Sequence, residues 1–257
     1  MLKIISLYVN KGINMKSIFK KAIALSLALP TMSYAALSLD RTRVIYNGDD
    51  NAVSMRIYNS SERLPFLGQT WFEDEKGNKI DKPFIATPPI QRIEPKQQSQ
   101  IKIQHLKSSP LPQDRESVYY FNFRQIPPKS DRPNVMQLTV QTKLKVFYRP
   151  SALFVPGNKI IDEPWQHKLL LKSTSTGLVA VNPTPYYITV AKISAAENSD
   201  ALPNIEPFMV APLSEFPLTF KMNQVGQKPF ITYINDFGGK KAMPFQCTTT
   251  QCEIVKQ

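Results

Sequence analysis

Asn134 to Arg149 reads NVMQLTVQTKLKVFYR. The stretch contains neither glycine nor proline, and its apolar residues Met136, Leu138 and Val140 fall on every second position. That period places them on one face of an extended strand, because successive side chains of a strand point to opposite sides. Shorter runs of the same kind lie on either side: Val53 to Tyr58, Gln100 to Ile103, Ser117 to Phe123, Tyr186 to Val190 and Phe230 to Ile234. Each is rich in β-branched and aromatic residues and is bounded by Pro, Asn, Asp or Gly, whereas no segment keeps a helical period over three turns. Many short strands between turn signals predict an all-β chain built as β-sandwiches.

The composition agrees. Proline is frequent, at 22 residues, and glycine is scarce, at 9, which disfavours both helices and flexible linkers. At the N-terminus, Met15-Lys16, Lys20 and Lys21 precede an apolar run from Ala22 to Pro30 and the small residues Ser33 and Ala35. This is the layout of a signal peptide cut after Ala35, and its apolar run is too short to cross a bilayer. Residues 1–14 read as sequence upstream of the true start at Met15. The remaining 222 residues suit two domains of about 100 residues each. The boundary is expected after Arg149-Pro150, with one domain over 36–150, another over 157–257, and a short connector stiffened by two prolines.

Removing the leader lowers the formal charge from +12 to +7. No Lys/Arg block, zinc-finger spacing or RNA-binding signature accompanies that surplus, so nucleic acid is not an expected partner. Cys247 and Cys252 are the only cysteines. In an exported chain they read as a disulfide closing a local turn, since His105 and His167 lack the spacing that a metal site would need. Neither a metal nor a cofactor is expected. The chain also lacks a Gly-x-Ser-x-Gly elbow, a His-Glu-x-x-His pair and a phosphate-binding glycine loop, and the neighbouring acids Glu73 and Asp74 read as turn residues. An enzyme is not expected.

The long stretch stands at the end of the first domain, where the last strand of a Greek-key sandwich lies at a sheet edge. An apolar edge strand is normally suppressed as an aggregation hazard. Left open, it can pair with a partner; covered, it is an ordinary core strand.

Seven blocks, in order, carry a resemblance to one family. They are Leu39 to Arg43; Ala86 to Pro89 with Arg92 and Glu94-Pro95; Leu111 to Ser117; Phe123 to Pro128; Lys145 to Pro150; Asn182 to Tyr187; and Tyr233 to Gly239. Over essentially its whole mature length the chain resembles the periplasmic pilus (fimbrial) chaperones.

The resemblance implies two immunoglobulin-like sandwiches set as an L around a cleft, and a protein that completes an unfinished pilus subunit by lending it a strand before handing it to an outer-membrane usher. Carried over by position, the donor residues are Met136, Leu138 and Val140. The anchors for the subunit's C-terminal carboxylate are Arg43 and Lys145. Glu116, Arg149 and Asp236 match an ion-pair network between the domains. The simpler reading of Asp236 is a turn aspartate before Gly238-Gly239. The short connector Pro127 to Pro133 resembles the branch that assembles rod-like pili. Implied partners are pilus subunits and an usher in the periplasm, without membrane insertion; self-association of the free form through its edge is left open. The alternative is a structural pilus subunit or two-domain adhesin. One point resists simple alternation: Val140 is even-numbered and Lys145 odd, so either a bulge near Thr142 intervenes or donor face and cleft lie on opposite sides of the strand.

Overall fold

A computed structural model describes residues 36–131, 133–175 and 177–255; the expected signal peptide, 1–35, lies outside the described residues. The first ten strands are β1 (Leu37–Leu39), β2 (Arg43–Asn47), β3 (Val53–Asn59), β4 (Phe66–Glu73), β5 (Lys79–Ile80), β6 (Phe84–Thr87), β7 (Ile90–Ile93), β8 (Gln98–His105), β9 (Ser117–Ile126) and β10 (Val140–Arg149). They form one sheet in the order β1-β3-β8-β6 and another in the order β2-β10-β9-β4-β5, with β7 paired to β4.

Alternation explains why the two sheets face each other. In β3 the inward positions are Met55 and Ile57, in β8 Ile101 and Ile103, and in β10 Leu144, Val146 and Tyr148; all are buried in one core. Aromatic rings fill its centre, with Tyr46 edge-on to Phe84 at 5.1 Å and Phe72 edge-on to Phe121 at 5.6 Å. Each such side chain contributes about 1.5–3 kcal/mol on burial. Buried polar groups in this core are paired: Asn59 Nδ2 donates to the carbonyls of Leu64 and Ile93, and Gln125 Oε1 accepts from Leu37 N across the sandwich.

The second set of strands is β11 (Leu170–Thr174), β12 (Gly177–Asn182), β13 (Ile188–Ser194), β14 (Phe208–Val210), β15 (Ser214–Leu218), β16 (Phe230–Ile234), β17 (Lys240–Cys247) and β18 (Gln251–Ile254). They run in the order β14-β13-β16-β17-β18-β11-β12-β15. β17 belongs to both halves of this sheet, pairing with β16 as far as Pro244 and with β18 from Phe245 onward. The second core gathers Leu171, Ala180, Val190, Ile193, Val210, Ile231 and Phe245. Between the two sets the chain makes a single 3-10 turn at Ser151–Leu153, a short helix at Gly157–Asp162 and a second 3-10 turn at Trp165–Lys168.

Two expectations need correction. The regular strand begins at Val140, not Asn134, so Met136 and Leu138 lie outside it, and Asn134 takes a positive φ of 57°. Correspondingly, the connection from β9 to β10 spans residues 127–139 and is longer than the seven residues read from the prolines. The cause is the partner strand. The β9–β10 ladder pairs Val140 with Gln125, and one step further it would meet Ile126 and then Pro127-Pro128, which have no N–H to donate. The ladder stops where its partner can no longer bond.

The Cys247–Cys252 disulfide ties directly opposed residues of the β17–β18 hairpin. Because the loop it closes is short, replacing both cysteines by serine is expected to lower unfolding free energy by about 2 kcal/mol in the loop-entropy account. Denaturant melts of oxidised wild type and the double variant check this.

Candidate functional site

β10 is ten residues long, but β2, its neighbour on the outer side, is five. β2 runs parallel to it and covers Lys145 to Arg149, in the register Lys145↔Arg43 through Arg149↔Asn47. On the other side β9 is antiparallel and accompanies β10 from Val140 to Tyr148 without a break. The outer edge of Val140 to Leu144 therefore has no strand beside it among the described residues. Leading into it, Met136, Leu138 and Val140 are 84, 67 and 41 % exposed. Apolar side chains this exposed in a row are uncommon on a monomer's surface.

The unbroken register also settles the question of parity. No bulge occurs at Thr142. Even positions Leu144, Val146 and Tyr148 point into the first core, and Val140 continues that face beyond the covered part of the strand. Odd positions Lys145, Phe147 and Arg149 point the other way, toward the second sandwich: Phe147 lies 5.6 Å from the Tyr187 ring, and Arg149 bonds Asp236. Val140 and the cleft residues thus occupy opposite faces of one strand whose register is unbroken.

Where β2 begins, Arg43 and Lys145 stand side by side as Cα partners. Both are partly buried. Arg43 Nη1 donates to the carbonyl of Ile234 at 3.5 Å, its guanidinium lies 5.9 Å from the Phe147 ring centre, and its Nε has no hydrogen-bond partner among the described residues. Burial lowers the pKa of the Lys145 ammonium, and the charge of Arg43 lowers it further. Burial lowers that of Arg43 too, opposed in part by Asp236. Two neighbouring cations partly withdrawn from water, with no carboxylate bonded to either among the described residues, favour an incoming anion strongly, because it would relieve desolvation and mutual repulsion together.

In the third group, Glu116, Arg149 and Asp236 are joined by hydrogen bonds. Arg149 donates from Nε to Glu116 Oε1 at 2.8 Å and from Nη1 to Asp236 Oδ2 at 2.7 Å. Its Nη2 lies 2.7 Å from Glu116 Oε1 and donates to Asp236 Oδ1 at 3.2 Å. The second oxygen of Glu116 accepts from Tyr187 N at 2.8 Å, so this buried carboxylate (3 % exposed) is bonded at both ends. Burial pushes the Glu116 carboxyl up, while Arg149 and the Tyr187 N–H pull it down. Arg149 also lies over the stacked rings of Trp165 and Tyr186, at 4.8 and 5.2 Å. Asp236 is free for this role because Asn235 holds the turn: its Oδ1 accepts from Phe237 N and Gly239 N. Gly238 has a φ of 81° and packs so closely on Thr42 of the first sandwich that a Cβ there would collide with the hydroxyl.

Sequence reasoning missed the aromatic lining, Phe147, Trp165 and Tyr187, and the buried Gln166. Phe147 carried a signal, being an aromatic on the strand face opposite the core; Gln166 carried none. Among the described residues no cluster of His, Cys, Asp or Glu is placed to hold a metal ion, and no helix is long and apolar enough to cross a membrane.

The fold and site thus define a two-sandwich protein with a half-open edge strand beside a paired-cation cleft. Residues 36–154 match the family model of the pili and flagellar-assembly chaperone, PapD N-terminal domain, and residues 164–245 match that of the pili assembly chaperone PapD, C-terminal domain. The chain is 41 % identical over 240 residues to the probable fimbrial chaperone YfcS of Escherichia coli K12, covering 92 % of this chain and 94 % of that one. It is likewise 41 % identical over 225 residues to the chaperone protein PapD of Escherichia coli, covering 87 % and 91 %. Among solved structures, that of the YadV chaperone superimposes with a TM-score of 0.65 at 31 % identity, over 83 % of this chain and all of the other. The chain belongs to the pilus assembly chaperone family.

Breaking a buried ion pair on one side leaves its partner's charge uncompensated, which costs about 3–5 kcal/mol. Glu116→Ala and Arg149→Ala are each expected to lose stability on that scale. The shape-conserving Glu116→Gln should lose less, because it keeps an acceptor for Tyr187 N. Urea melts followed by tryptophan fluorescence measure the difference, and equal stability of Glu116→Ala and wild type would contradict the network's role.

Proposed function

We propose that the chain works in the periplasm, after removal of residues 1–35, as a chaperone that binds pilus subunits and passes them to an outer-membrane usher. In this reading domain 36–150 carries the donor strand, and domain 157–257 completes the cleft. The observation that carries the reading is the juxtaposition on β10: a free edge over Val140 to Leu144 that ends at the paired cations Arg43 and Lys145.

The direction of binding follows from that geometry. A subunit strand lying along Val140 to Leu144 must stop where β2 begins, since both would occupy the same side of β10. If its C-terminal carboxylate sits at Arg43 and Lys145, its chain runs from the Val140 end toward the Lys145 end, parallel to β10. Five residues of free edge offer about 17 Å of ladder. Met136 and Leu138 extend the donated surface once Asn134 to Thr139 pair with the subunit. Ordering these six residues costs about 1–2 kcal/mol each. Backbone bonds at about 0.5–1.5 kcal/mol net apiece and the burial of two exposed apolar side chains offset it. Backbone pairing is indifferent to subunit sequence, alternate apolar side chains select an apolar groove, and the anchored carboxylate fixes the register.

Arg43→Ala and Lys145→Ala are expected to give folded, exported protein that no longer co-purifies with subunits from periplasmic extracts; normal subunit yield with either would overturn the anchor assignment. Lys145→Met should at the same time raise stability, since it removes a half-buried cation next to Arg43. Because the folded-state pKa of Lys145 is depressed, its destabilising effect is full below that pKa and fades as pH rises toward the ordinary lysine value. The gain from Lys145→Met should shrink over the same alkaline range. Leu138→Glu sets a charge in an apolar groove and should leave subunits to be degraded; unchanged subunit levels would exclude Leu138 as a donor.

A further inference from the structure

Two polar atoms buried at the seam between the sandwiches lack a hydrogen-bond partner among the described residues, and they come from opposite sides of it. One is Nε of Arg43, on β2 of the first sandwich. The other is Oε1 of Gln166, in the 3-10 turn Trp165–Lys168 that leads into the second, where the side chain is only 2 % exposed. Both residues line one crevice of about 10 Å³, together with Phe147, Ile234 and Asp236.

The two atoms are a donor and an acceptor that are not bonded to each other here, so one intermediary that both accepts and donates can satisfy both. A guanidinium Nε–H is a donor and nothing else, and an amide oxygen is an acceptor and nothing else. The volume is at the lower limit of what one water molecule occupies, about 10–15 Å³, and a buried water needs at least two polar partners. We infer that this crevice holds an ordered water that accepts from Arg43 Nε and donates to Gln166 Oε1, making Gln166 a positioning residue for Arg43.

The device matters because of what it does not do. Asp236 and Glu116, carboxylates that line the crevice, are both committed to Arg149. A carboxylate at Nε would fix the guanidinium but cancel its charge. A neutral water fixes the guanidinium and leaves the charge intact. With Nε held by the water and Nη1 by the Ile234 carbonyl, Nη2 is left for an anion beside Lys145. The positioning role rests on the reading of Arg43 as a carboxylate anchor; the water itself does not.

Nuclear magnetic resonance of the arginine Nε–H groups, on the full mature chain, tests the water directly. The Arg43 Nε–H is expected to exchange slowly and to show a cross-peak to a long-lived water. Gln166→Leu should abolish that cross-peak and speed the exchange, with the dispersed amide spectrum of the folded chain retained. Gln166→Glu should keep the Nε–H protected, because its carboxylate accepts from the same water, yet still weaken anion binding by offsetting the charge of Arg43. The binding arm uses an alternating Thr-Val nonapeptide with a free C-terminal carboxylate and the same peptide amidated. The preference of wild type for the free acid should fall roughly three- to tenfold in Gln166→Leu, the effect of one hydrogen bond, with affinity for the amide unchanged. Absence of the cross-peak in wild type, or an Nε–H signal unaltered by Gln166→Leu, would overturn the water. Equal affinity of wild type for acid and amide would remove the anchor reading and the positioning role with it, while the water would stand on the Nε–H signal.

Discussion

A ten-residue strand with a five-residue neighbour sets the terms for everything else in this molecule. β2 supports Lys145 to Arg149 on their outer side and leaves Val140 to Leu144 open. The supported half is paired on both sides from Lys145 to Tyr148, its even side chains sit in the first core, and Phe147 and Arg149 reach the second sandwich. The open half has no strand on its outer side among the described residues, and exposed apolar side chains lead into it. Proteins usually hide such an edge. Here it adjoins the cleft where two cations, Arg43 and Lys145, share a register position.

Opposite faces of one strand divide the labour. The even face continues the hydrophobic core outward, so a partner strand laid on the edge would find a core already half built. The odd face holds Lys145, Phe147 and Arg149, which belong to the cleft and to the joint between sandwiches. The joint is polar, and a buried ion pair is weak grounds for stability compared with apolar packing. What it provides is direction: Arg149 can satisfy Glu116 and Asp236 together in few orientations of the two sandwiches. Trp165, Tyr186 and the close approach of Gly238 to Thr42 restrict the joint further. A fixed joint keeps Ile234 against Arg43, and so keeps the cation pair in place.

Much of this was legible in the sequence, and the failures have physical causes. The sandwich class follows from alternation in runs such as Val53 to Tyr58, which appears as β3 almost unchanged. The hairpin disulfide follows from two cysteines close together in a chain read as exported. The pairing of Arg43 with Lys145 was not readable from local pattern, since parallel pairing of distant residues leaves no periodic trace; only the family resemblance brought them together. Met136 and Leu138 were assigned to a strand because their own alternation favours it, yet a strand also needs a partner, and Pro127-Pro128 ends the partner. Those prolines were read only as the start of a short connector. Gln166 was invisible, because one glutamine in a 3-10 turn carries no pattern. Its importance comes from the atoms it faces.

The central claim is that the outer side of Val140 to Leu144 is unpaired in the free chain and becomes paired when a subunit binds. Residue-resolved amide hydrogen exchange on the free chaperone and on its complex with a subunit measures this directly. The account predicts that outward-facing amides within Val140 to Leu144 exchange fast in the free protein and slow sharply in the complex, while those of Lys145 to Arg149 stay protected throughout. Full protection of Val140 to Leu144 in the free monomer, or no change there on binding, would contradict it.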